Sequence, residues 1–126
     1  MGQQIPAEVV TQLEQFRKQI FTHAGKQPNI ISMVEIHNRI VYAGEFTATI
    51  NGEIEIDVQY YSGQYIVWWR ESCDEEPAAE PAYVDEHEHW QVTWAINRIL
   101  VGQVIEPARR KRNARKREQQ AREMGI

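Results

Sequence analysis

The chain has 126 residues, 42% of them hydrophobic and 25% charged, which suits one globular domain. No apolar run approaches the ~18 residues of a membrane helix, and the single cysteine, Cys73, excludes an internal disulfide and a thiolate zinc cluster. The net charge of −4 hides a division: residues 1–106 hold six Lys/Arg against 16 Asp/Glu, and residues 107–126 hold eight against two.

The first residues, MGQQIPAEVV, lack the basic start and apolar stretch of a secretion signal. Gly2 lies where N-terminal acylation would occur, but Pro6 stands where that pattern needs Ser or Thr. With one cysteine, the chain is expected to be cytoplasmic and not membrane-bound. Residues 6–24 predict an amphipathic helix, because Ile5, Val9, Leu13, Phe16 and Ile20 recur on one face. Pro6 suits its first turn and Gly25 its C-terminal cap.

Residues 30–43 fit two patterns. Ser32 with Glu35 resembles a capping box, and Gly44 could end a helix. The β-branched and aromatic content favours a strand over 38–44. Residues 45–71 predict a β-meander. A three-residue loop Ile50-Asn51-Gly52 puts Ala48 opposite Ile54 and Phe46 opposite Ile56, keeping one face apolar. A two-residue turn at Ser62-Gly63 pairs Tyr60 with Tyr65, Val58 with Val67, and Ile56 with Trp69. The apolar face then holds Phe46, Ala48, Ile54, Ile56, Val58, Tyr60, Tyr65, Val67 and Trp69. The other holds Glu53, Glu55, Asp57, Gln59, Tyr61, Gln64, Ile66, Trp68 and Arg70.

Residues 72–84 read as an acidic, proline-containing loop. Asp85 and Glu88 form a capping-box pattern for a helix over 86–101 ending at Gly102. The alternation Trp90, Val92, Trp94, Ile96 also fits a strand. Pro107 then opens a last helix to about Glu123, polar all round. The expected fold is α+β: residues 1–106 form one domain, an antiparallel meander of three to four strands packed on two helices, and residues 107–126 form an arginine-rich helical tail.

The tail carries Arg109, Arg110, Lys111, Arg112, Arg115, Lys116, Arg117 and Arg122. Six of the eight are arginine, whose planar fork makes paired contacts to phosphate and guanine. In composition this segment of under 20 residues resembles the arginine-rich peptides that fold in an RNA groove, as in phage antitermination proteins. The reading is a non-enzymatic protein whose tail contacts RNA or DNA backbone. A second reading is an assembly, interaction or inhibitor module. There the tail meets acidic protein surface, including Asp74, Glu75, Glu76 and Glu80 of the acidic stretch 71–88 on a neighbouring copy. The same module would use Tyr61, Ile66, Trp68 and Arg70 on the uncovered sheet face as a protein contact.

His87 and His89 sit among acids, and Asp85 with His89 could share a metal on a helix, but spacing supplies no third ligand. Cys73 lies beside Asp74, Glu75 and Glu76, which oppose a reactive thiolate. No phosphate-binding glycine loop or serine elbow occurs. No catalytic residues, metal or cofactor are therefore expected.

Overall fold

The computed structural model describes residues 5–125. Gly2 lies outside them, as does the tail's last residue, Ile126. Helix α1 (Ala7–Gly25) buries Val9, Leu13, Phe16 and Ile20, the stripe expected from helical spacing. Gly25 stays inside it, and Lys26 ends it in a right-handed conformation.

Strand β1 (Val34–Arg39) is followed by a single helical turn, α2 (Ile40–Ala43). The expectation of a strand over 38–44 is thus displaced. The ladder stops at Arg39, where Asn38 Oδ1 accepts the Ile40 backbone N–H at 3.0 Å and turns the chain into α2. Gly44 ends that turn at φ +66°, and a Cβ there would meet Ile5 Cδ1 at 2.9 Å.

Strands β2 (Glu45–Ile50), β3 (Ile54–Tyr61), β4 (Gln64–Glu71) and β5 (Ala82–Asp85) complete an antiparallel sheet in the order β1-β2-β3-β4-β5. The sheet has five strands, not three to four. The added edge strand β5 comes from the end of the segment read as loop 72–84. It is short, and only Val84 of its residues is buried, so it lacked the alternation that marks a strand.

The β3–β4 hairpin has the expected register, with Tyr60 opposite Tyr65, Val58 opposite Val67 and Ile56 opposite Trp69. Ser62 and Gly63 turn it, both at positive φ. The β2–β3 register differs by two residues: Ala48 faces Ile56 and Phe46 faces Val58. Asn51 and Gly52 both take positive φ, and the Glu53 N–H donates to the Ile50 carbonyl. Glu53 falls outside the ladder, so Ile50 pairs with Ile54. A shift of two preserves side-chain parity, and the apolar face survives unchanged.

A single turn of 3₁₀ helix, Glu86–Glu88, follows β5. Asp85 Oδ1 accepts the His87 backbone N–H at 2.9 Å, capping this turn. Helix α3 (Trp90–Ile99) begins two residues later and buries Val92 and Ile96. It does not end at Gly102. A widened π segment (Leu100–Ile105) leads directly into α4 (Glu106–Glu123), so Trp90–Glu123 is one continuous helix. At 3.6 residues per turn, Ile105 would lie about 140° around the axis from Leu100. In the wider turn both are buried, along with Val104. The wide turn also precedes Pro107, which has no N–H to donate to the Gln103 carbonyl and whose ring crowds it in a regular helix.

The core joins α1, the inner sheet face, α3 and the π segment. The Phe16 ring meets Tyr65 edge-on at 5.4 Å between centroids. Gln19 Nε2 donates to the Thr93 carbonyl at 2.8 Å and to Asn97 Oδ1 at 3.0 Å, tying α1 to α3. Among the described residues no helix is long and apolar enough to cross a membrane. Phe16 is 1% exposed at the centre of this core, so Phe16→Ala is expected to cost about 3–5 kcal/mol, read as a lowered midpoint in urea.

Candidate functional site

The tail leaves the body as α4, and Arg109 through Gln120 are all exposed. At 100° per residue its bases fall in three stripes. Arg109, Arg112 and Lys116 share one, Arg110 and Arg117 a second, and Lys111, Arg115 and Arg122 a third. Among the described residues the one ion pair involving these bases is Arg110 Nη2 to Glu106 Oε2 at 3.5 Å.

The acidic stretch follows β4 as an exposed loop over residues 72–80. It is fastened to the edge of β4 by the Ala78 N–H donating to the Trp69 carbonyl at 2.9 Å. Arg70 Nη1 donates to the Glu75 carbonyl at 3.3 Å. Asp74, Glu75, Glu76 and Glu80 form no ion pair with the tail among the described residues. The continuous helix carries α4 onward from α3 and holds its charge out from the body.

The uncovered sheet face gathers Tyr61, Ile66, Trp68 and Arg70 as the hairpin register requires. Tyr61 is exposed, and the other three are half-buried. Tyr83, from the unexpected strand β5, stands opposite Ile66 and is 64% exposed. Arg70 Nε donates to Glu55 Oε2 at 2.6 Å across β3 and β4, and that bond raises the already high guanidinium pKa.

A row across four strands runs His37, Thr47, Asp57, Trp68. Burial pushes the Asp57 carboxyl above the ordinary range. The hydrogen bond from Thr47 Oγ1 at 2.6 Å and the charges of Arg70 and Arg39 draw it back in part. The other oxygen, Oδ2, is buried without a hydrogen-bond partner among the described residues.

His87 and His89 are both exposed and border a cleft of about 380 Å³ with Glu8, Gln12 and Glu86. His87 lies 3.7 Å from Glu86. Tyr60 Oη donates to Glu86 Oε2 at 2.8 Å, which raises the phenol pKa. The Tyr65 phenol, on the same side, is pushed up to about 12 by burial. Three potential metal ligands converge elsewhere, at Glu71, the last residue of β4, and Cys73 and Asp74 of the loop, all exposed.

A further aromatic face lies on α3, outside the residues expected from the sequence. Trp90 and Trp94 stand one turn apart on α3, 63% and 58% exposed, and the Arg98 guanidinium lies over the Trp94 ring at 4.7 Å. Beside Trp94 opens a cleft of about 240 Å³, walled by Trp69, Ala95 and Ile99 with Arg98, Gln103 and Glu80 at its polar edge. The signal was available. Once 90–99 is a helix, Val92 and Ile96 define its buried stripe, and positions 90, 94 and 98 fall away from it.

The raised Asp57 pKa has a definite sign. Between the unfolded value and the raised folded value the native state binds more protons, so this group makes stability fall as pH rises. Asp57→Asn is therefore expected to be more stable than the unaltered chain at pH 7. The gap should close as pH falls toward 4, as measured by urea unfolding across pH.

No family model, curated protein or solved structure matches the chain.

Proposed function

We propose that the chain is a non-enzymatic binding protein that docks α4 on the phosphate backbone of RNA or DNA. The observation that carries this reading is the distribution of charge on α4. Three basic stripes surround a helix that buries no residue of its own. A helix polar all round has no reason to form against the body. Bases on all sides suit a groove in which phosphates flank the helix on both edges. Arg109, Arg110, Arg112, Arg115 and Arg117 would position it, with Lys111, Lys116 and Arg122 adding to the field.

A second reading rests on the acidic loop. Residues 71–80 and the tail bases are exposed, and no ion pair joins them among the described residues. The tail of one copy could therefore meet the loop of another or the acidic surface of a different protein, as in an assembly or inhibitor module. Light scattering at low and high salt separates the two. Salt-sensitive oligomers without nucleic acid would favour assembly.

Fluorescence anisotropy with an RNA hairpin and a DNA duplex over a salt series tests the first reading. If about six phosphates are neutralised on duplex DNA, log affinity should fall against log salt with a slope near −5. Replacing the eight tail bases by glutamine should abolish binding and leave thermal unfolding unchanged. A salt-independent response, or binding that survives the replacement, would refute the proposal.

A further inference from the structure

We propose that the nucleic acid bound is single-stranded, and that Trp94, with Trp90, stacks its bases while α4 tracks its phosphates. This rests on the reading of α4 as a phosphate-binding helix. Two large aromatic side chains more than half exposed on one turn-spaced face are costly to leave in water. They keep this exposure against all the described residues, with Arg98 standing over Trp94, and they are not needed for the core, which Val92 and Ile96 supply from the opposite side of α3.

The partner for this face is chosen by what lies along the same helix. Arg98 follows Trp94 by one turn, and the eight bases of α4 continue the same rod. A ligand that runs along it must therefore be anionic and must offer flat apolar faces. A single strand offers both, because its bases are free to unstack. A duplex hides its base faces inside the stack.

The geometry is compatible. Trp94 and Arg110 are separated by about 24 Å at a rise of ~1.5 Å per residue, within reach of a short oligonucleotide. The Arg98 guanidinium carbon already stands 4.7 Å from the Trp94 ring centroid, so the face of the ring is accessible to a group of that size. The cleft beside the ring adds the Gln103 amide, able to donate to or accept from a base edge. Glu86 and Glu88 precede Trp90 and repel phosphate, so the strand ends at Trp90 and runs from there past Trp94 toward α4.

The test uses the full chain and labelled oligonucleotides of equal length, oligo(dT) and oligo(U) against a DNA duplex. In the unaltered protein, oligo(dT) should quench tryptophan emission, a readout that needs no substitution. Trp94→Ala should weaken single-strand binding by roughly fivefold to 100-fold, with Trp90→Ala adding less. Duplex affinity and the salt slope should stay unchanged. Single-strand binding unaffected by Trp94→Ala, without quenching, would overturn the stacking inference and leave the phosphate-binding helix standing. Absence of binding to every oligonucleotide at low salt would overturn both.

Discussion

The molecule depends on how one helix meets two demands at its midpoint. Leu100, Val104 and Ile105 must all reach the core, and a regular helix turns the last of them away from it. The widened turn resolves the conflict without breaking the chain's direction. It also sets the wide turn just before Pro107, where the hydrogen-bond ladder is already altered. Everything outward of that point follows. Because the turn widens and the helix does not stop, α4 continues as a rod and does not fold back onto the acidic loop. The two charged segments stay apart, and the exposed tryptophans share one continuous helix with the basic stripes.

Much of the architecture can be read from residue order. The α1 stripe and the β3–β4 register follow from spacing and from Ser62-Gly63 alone. The inner face of the sheet survives even where the β2–β3 register is displaced, since a shift of two residues keeps parity. What escaped has physical causes. Strand β5 is a four-residue edge with one buried side chain, held by its pairing to β4 and not by a pattern of its own. Strand β1 ends early because Asn38 bonds its own backbone, a local competition that β-propensity does not register. Gly102 and Pro107 are strong stop and start signals in isolation. Burial of Leu100, Val104 and Ile105 outweighs both. Of the candidate site, the tail was plain from composition. The Trp94 face required knowing that 90–99 is helical and which side is buried.

The two faces of the sheet show how differently charge is handled. On the inner side no charged group is buried among the described residues. On the outer side, charges are held in cross-strand pairs, Arg39 with Glu45 at 3.2 Å and Arg70 with Glu55. Asp57 sits between these pairs with only Thr47 as a hydrogen-bond donor. Half-buried pairs of this kind contribute modestly to stability. Their effect is to keep a face that no helix covers polar enough to remain wet, while Tyr61 and Tyr83 give it aromatic surface.

The continuity of Trp90–Glu123 also governs how the tail keeps its shape. An isolated helix of this length in water must nucleate itself, which is unfavourable. Here α3 is already anchored in the core and supplies the nucleus, so α4 only propagates. Its order is borrowed from the body, and the loan weakens with distance. Backbone amides near Ile105 are expected to exchange with solvent only as the core opens, and those near Arg122 through fraying of the last turns. A polyanion lying along α4 would therefore find its inner half ready-made and would itself complete the outer half.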